Sequence, residues 1–304
     1  MNMSSSQNQG ILQKLIFLAF LPFLVVSMSN KLVIDSHLHV WANVQEASSG
    51  FPYAEGQAPP DSMKNEAAAS RLIEKMNESG VDGSLIVQPI NHKFDHSYVV
   101  SAIQSYPERL KGMLLHDPSL SPADALSLLE DLTLKGFVGV RFNPYLWPSE
   151  GDNKWKPMST PGEGGLAVYK RCGELKMPVG VMCFQGLQFH YDDIVELLES
   201  SPATILILDH FGFTSLTPDG DAAFEQLLNL ARYPQVVVKI SALFRMADEA
   251  PYEKVHTQRF TPLLEAFGAD RLMFGTDFPF VLESDLGYSG AVELVKSWTK
   301  DDTT

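Results

Sequence analysis

The chain has 304 residues, 45% hydrophobic and 20% charged, the composition of a globular protein with a sizeable core. Its net charge of −14 argues against a nucleic-acid partner, because phosphate binding needs a basic face. Cys172 and Cys183 are its two cysteines. That is too few for a disulfide framework, and Cys183 lies in an apolar run as a buried thiol does.

Residues 15–26 are continuously apolar, Lys14 precedes them, and no acidic residue occurs before Asp35. This pattern resembles a secretory signal peptide and is short for a membrane span, which needs ~20 residues. Ser27 and Ser29 follow at cleavage-like spacing. The competing reading starts translation at Met28 and makes the upstream stretch an extension. The first implies the secretory pathway, the second a cytoplasmic or organellar location. Both leave residues 1–30 outside the fold and assign 31–304 to it.

From residue 31 onward, short apolar runs alternate with amphipathic stretches. The runs are 32–35, 84–88, 112–115, 137–142, 179–184, 204–209, 236–240 and 272–275. The helical patterns include 67–79, 123–135, 192–200, 222–231, 260–267 and 289–300. Gly80, Gly136 and Gly268 stand where left-handed caps end helices, and Pro122 and Pro262 stand near helix starts. Strands apolar on both faces belong to a parallel sheet. Eight βα units in about 270 residues match a (β/α)8 TIM barrel of the α/β class. The irregular segments 43–63, 89–95 and 143–165 follow strands one, two and four. They therefore fall at the C-terminal face, where barrel active sites are built.

The strand ends carry the chemistry. Strand one runs into Asp35-Ser36-His37-Leu38-His39-Val40-Trp41. Side chains i and i+2 share a face, so His37 and His39 point the same way. Strand four brings Arg141, strand six His210, strand seven Lys239 or Ser241, and strand eight Asp277 in Gly275-Thr276-Asp277-Phe278-Pro279. Polar groups at the ends of apolar strands cost free energy when buried unpaired, and several at one rim indicate a site. A histidine pair near one terminus meets an aspartate near the other only if the first and last strands adjoin, as in a closed barrel. Asp209 is expected on the face opposite His210, as a structural residue. Asp35 is expected one layer below His37, bonded within the barrel. His92, His96, His116, His190 and His256 read as ordinary surface or core residues. Trp41, Tyr53, Tyr145 and Trp147 fall near the mouth, lining a pocket or covering the barrel top.

Asp-x-His-x-His-x-Trp, Gly139-x-Arg141-x-Asn143, Leu208-Asp209-His210-x-Gly212, Lys239-x-Ser241 and Gly-Thr-Asp-x-Pro together resemble the amidohydrolase superfamily. The likeness is closest to its branch of 2-pyrone-4,6-dicarboxylate and sugar-acid lactonases. It implies a hydrolase of a small carboxylated lactone. Asp277 would be the general base on water, while His37, His39 and His210 polarise the carbonyl and hold the oxyanion. Arg141 would grip a substrate carboxylate, and Lys239 would add positive charge for an anionic substrate. Metal-dependent members resembling the decarboxylase branch carry a histidine at the end of strand five. Residues 177–185 hold none, and the lactonase branch works without a metal, so no cofactor is favoured. The alternative is zinc or manganese on His37, His39 and Asp277, with Cys183 as a soft fourth ligand, in a metal-dependent amidohydrolase or decarboxylase. A third reading is a non-catalytic barrel that binds a small acid. The full set of strand-end residues argues against it, and the short C-terminus keeps it open. No membrane contact is expected of the folded domain.

Overall fold

The computed structural model describes residues 32–247 and 249–300. The apolar segment and start-site alternatives within residues 1–30 lie outside them. Eight strands, β1 (Ile34–Leu38), β2 (Gly83–Val87), β3 (Leu110–Leu115), β4 (Phe137–Phe142), β5 (Val179–Val181), β6 (Leu206–Leu208), β7 (Val236–Ser241) and β8 (Leu272–Gly275), form one sheet in chain order. Every paired neighbour is parallel. Each strand is followed by a helix: α1 (Ala69–Glu78), α2 (Ser97–Ser105), α3 (Pro122–Leu134), α4 (Gly164–Leu175), α5 (Tyr191–Ser200), α6 (Pro218–Asn229), α7 (Thr261–Phe267) and α8 (Gly287–Lys300). This is the (β/α)8 barrel the alternation predicts.

The sheet closes between β8 and β1. The Ser36 hydroxyl donates to the Phe274 carbonyl at 2.6 Å. Asp277 N–H donates to His37 O at 2.8 Å, and His39 N–H to Phe278 O at 2.7 Å. Asp35 accepts from Thr276 N at 3.0 Å and from its hydroxyl at 2.6 Å. Burial pushes the Asp35 carboxyl up to about 6, against these donors. Its bonds therefore run across the seam rather than only within the barrel floor. Gly275 makes the seam possible. A Cβ there would lie 2.5 Å from His37 Cβ and 2.8 Å from His37 N, distances no side chain tolerates.

The helices pack by their apolar faces. Ala69, Leu72 and Met76 of α1 are buried, as are Ile194, Leu197 and Leu198 of α5, the i, i+3, i+4 and i+7 spacing of one face. Ser121 caps α3 ahead of Pro122, and Gly80, at φ +62°, ends α1 with Val81 N–H returning to Met76 O, a left-handed cap. α2 buries Tyr98, Val99, Ala102 and Ile103, and α4 buries Val168, Tyr169 and Cys172 after starting in Gly164-Gly165, which reads as loop. The segment 43–63 contains a short helix, Val44–Ser49, and the segment 143–165 a small antiparallel hairpin. Cys172 and Cys183 are buried free thiols. Among the described residues no helix is long and apolar enough to cross a membrane.

Candidate active site

β1 extends through Leu38, so His37 lies within the strand rather than after it. The His37 and His39 rings share the inner face, with centroids 5.2 Å apart. His39 Nδ1 donates to the Val87 carbonyl at 2.8 Å. That partner is only an acceptor, so the neutral ring carries its lone pair on Nε2.

The expectation for Asp209 is corrected. Strand alternation ends at Leu208, and the chain then turns through His210 (φ +50°) and Phe211 (φ +54°), so the period of two no longer applies. Both Asp209 and His210 reach inward. Asp209 Oδ1 lies 3.2 Å from Lys239 Nζ and 3.2 Å from His37 Nδ1, and its Oδ2 lies 3.3 Å from Arg141 Nη2. Burial alone would raise this carboxyl, but Lys239, then His37 and Arg141, hold it well below the usual carboxylate range. Burial lowers the Lys239 ammonium against the pull of Asp209. Lys239 is fully buried, bonded beneath the site, and does not line the cavity above it.

Lys239 Nζ also lies 3.1 Å from His37 Nδ1. The ionised Asp209 carboxylate, which can only accept, lies 3.2 Å from the same nitrogen, so the two partners call for opposite tautomers: the ammonium for Nε2–H, the carboxylate for Nδ1–H. His210 Nδ1 faces the Ser241 hydroxyl at 2.8 Å. If that hydroxyl donates, His210 carries Nε2–H. Burial is the main reason that His37 falls well below its ordinary value and His210 falls to about 4. Both rings are neutral at pH 7.

Three imidazoles converge on Asp277. Its Oδ1 lies 3.4 Å from His39 Nε2, 3.8 Å from His37 Nε2 and 3.9 Å from His210 Nε2. Its Oδ2 accepts from Arg245 Nε at 3.0 Å. Burial would raise Asp277, yet His210, then His39 and His37, outweigh it and keep the carboxyl ionised. Asp277 sits at φ +62°, a left-handed conformation that a non-glycine residue adopts at a cost and that is common at functional sites. The cavity over these groups is about 260 Å³. Trp41, Gln88, Arg141, Asn143, Arg245 and Phe280 help to line it. Trp41 Nε1, Gln88 Oε1, Arg141 Nε and Nη2, and Asp277 Oδ1 are buried without hydrogen-bond partners. An unmet buried polar group costs roughly 1–3 kcal/mol, so this lining is suited to a polar ligand.

The other histidines are placed as the sequence suggests. His92 and His96 bond backbone groups, His116 packs on Phe142 and Trp147, His190 meets Tyr145, and His256 stacks on Trp298. Trp41 lines the cavity, whereas Trp147 belongs to the core. Arg245 was not anticipated. It follows β7 by four residues, and its position just past Lys239-x-Ser241 was the available signal.

His37, His210 and Asp277 present ligand atoms within 4.8 Å of one another, so they could hold a divalent metal. The set has His210 in place of His39 in the expected His37, His39 and Asp277. Their donor types and the partnerless His37 Nε2 and Asp277 Oδ1 fit a three-ligand site. The Lys239 ammonium, 3.1 Å from His37 Nδ1, brings a positive charge close beneath this set and opposes a second cation there.

A parallel eight-stranded barrel with three histidines and an aspartate at its C-terminal mouth has the architecture of a hydrolytic TIM barrel. The chain belongs to the amidohydrolase family, whose model matches residues 34–304. It is 30% identical over 255 residues to a 4-sulfomuconolactone hydrolase of Hydrogenophaga intermedia, covering 81% of this chain and 74% of that one. It is 25% identical over 260 residues to an L-fucono-1,5-lactonase of Burkholderia ambifaria, covering 81% and 80%. Its fold matches a probable 2-pyrone-4,6-dicarboxylic acid hydrolase from Acinetobacter baumannii, solved with citric acid bound, at TM-score 0.70 and 22% identity over 88% of this chain and 92% of that one. The protein is a hydrolase, and its site and relatives support a lactonase or amidohydrolase-type function.

Proposed function

We propose that the protein hydrolyses a small carboxylated lactone without a metal. The supporting observation is the convergence of three imidazoles on the ionised Asp277. Asp277 orients a water and takes its proton as the water oxygen bonds the carbonyl carbon. A carboxylate held this low is a weak base at rest, so transfer completes only as the attacking oxygen gains positive charge. His210, whose ring lines the cavity, donates Nε2–H to the developing oxyanion, while His37, fully buried, supports Asp277 from beneath. Collapse breaks the bond between the acyl carbon and the ring oxygen. His39, whose Nε2 lone pair lies 3.4 Å from Asp277 Oδ1, passes the proton from Asp277 to the leaving ring oxygen, and a hydroxy acid results. This gives His39 a proton-transfer role in place of the carbonyl-polarising one. Arg141, which lines the cavity and whose Nε has no hydrogen-bond partner while its Nη2 is paired with Asp209, binds the substrate carboxylate. Lys239, with Asp209, holds the His37 ring from below rather than touching substrate.

The relatives named for lactone hydrolysis support the reaction class. Asp277→Asn is expected to lower kcat by about 10²–10⁴ on a panel of carboxylated lactones, with the circular dichroism spectrum unchanged. Full activity in that variant would overturn the general-base role. The proximity of His37, His210 and Asp277 favours a second reading, in which those residues hold a divalent metal. When bound, it would act as a Lewis acid on the carbonyl.

A further inference from the structure

A second cavity of about 520 Å³ opens beside the catalytic one. Phe184, Phe213, His210 and Arg245 line both, so the two spaces adjoin. We propose that this annex receives an aromatic substituent of the substrate. The preferred substrate is then an aryl-substituted lactone carboxylate rather than a compact one, an inference that rests on the lactonase reading.

Three observations carry it. The catalytic cavity, at about 260 Å³, is below the range of roughly 300–1,000 Å³ usual for small-molecule sites, and the annex supplies the missing room. Half of its lining residues are apolar. Phe184, Phe213, Phe244 and Met246 face it, with Gln185 and Ser215 as uncharged polar neighbours. Among the described lining residues Arg245 is the only permanent cation. It is already engaged, with Nε on Asp277 and its guanidinium 5.2 Å from the Phe244 ring and 5.1 Å from the Phe280 ring. A second anionic group would have to share this one guanidinium with Asp277, whereas a ring meets three phenylalanines. Finally, Phe184 is 58% exposed at the junction and meets Phe213 edge to face, at 6.0 Å between centroids and 80° between planes. A third ring can extend this edge-to-face pair.

The test compares paraconic acid with phenylparaconic acid, whose added phenyl sits on the ring carbon bonded to the lactone oxygen. The readout is the ratio of kcat/KM for the phenyl compound over the compact one, taken within each protein, so that a general loss of activity cancels. The full-length protein is expected to favour the phenyl compound by about tenfold or more, the effect of burying one aromatic ring. Phe244→Ala, which removes a wall, and Ser215→Trp, which fills the space, are each expected to lower that ratio about tenfold. A ratio near or below one in the parent overturns the proposal whether or not either variant folds. So does a parent preference that survives both substitutions, which would make the annex a solvent path. Turnover of paraconic acid alone leaves the lactonase reading standing while the annex proposal fails. Turnover of neither compound sinks both.

Discussion

Asp209 is the buried hub of the site, and its replacement by asparagine tests that role. In the parent its carboxylate faces the Lys239 ammonium at 3.2 Å and the Arg141 guanidinium at 3.3 Å, with all three side chains nearly inaccessible to water. Charges about 4 Å apart at an effective dielectric constant near 20 attract by roughly 4 kcal/mol per pair. Removing the carboxylate forfeits two such attractions. It also spares the desolvation cost of one ion, itself several kcal/mol, and leaves two buried cations without a counter-charge. The net loss expected on breaking one side of a buried pair is about 3–5 kcal/mol. In a domain of this size each kcal/mol moves the melting point by roughly 2–4 °C, so Asp209→Asn should melt at least about 6 °C lower. Adding Lys239→Met removes one stranded cation and should recover part of the loss, since replacing both partners costs less than removing one. Thermal melts of the parent, the single variant and the double variant check this. A single variant that melts within 2 °C of the parent, or a double variant less stable than the single, would refute the reasoning.

Two further predictions follow from protonation. His96, His116 and His210 are each pushed down to about 4, chiefly by burial. The unfolded chain binds protons at these rings near pH 6.5 and the folded chain does not until about pH 4. Their stabilisation is therefore complete above pH 6.5 and is lost as pH falls towards 4, by up to about 3 kcal/mol per ring. Asp35, raised to about 6, acts in the opposite direction and offsets part of it. The melting point should drop by roughly 10 °C or more between pH 7 and pH 5, and a flat profile across that window would count against neutral buried histidines. The buried Lys239 ammonium beneath the site opposes a second cation there, which predicts that protein purified without chelator carries no stoichiometric zinc or manganese by elemental analysis and keeps its lactonase activity in chelator. Stoichiometric metal with chelator-sensitive turnover would move the reaction to His37, His210 and Asp277 as ligands.

The apolar runs and their spacing determined the barrel, because a strand buried on both faces announces itself residue by residue. β4 and β8 begin and end at the residues the pattern marks. The i, i+2 spacing determined that His37 and His39 share a face, since the strand period is fixed by backbone geometry. The order of the motifs also placed His210 and Asp277 at the same rim. The inward turn of Asp209 was decided by backbone beyond the end of β6, where left-handed residues replace the strand period. Arg245 reached Asp277 through a loop whose path no local pattern specifies. The metal-capable set was decided the same way, since ring positions around the barrel, rather than order along the chain, set which nitrogens meet. Lys239 was legible as a strand-end cation, but its place beneath the site came from Asp209 and His37, residues 30 and 202 positions away in sequence. Periodicity is a property of neighbours along the chain. The pairing of buried charges is a property of neighbours in space, and only the closed barrel makes those neighbours.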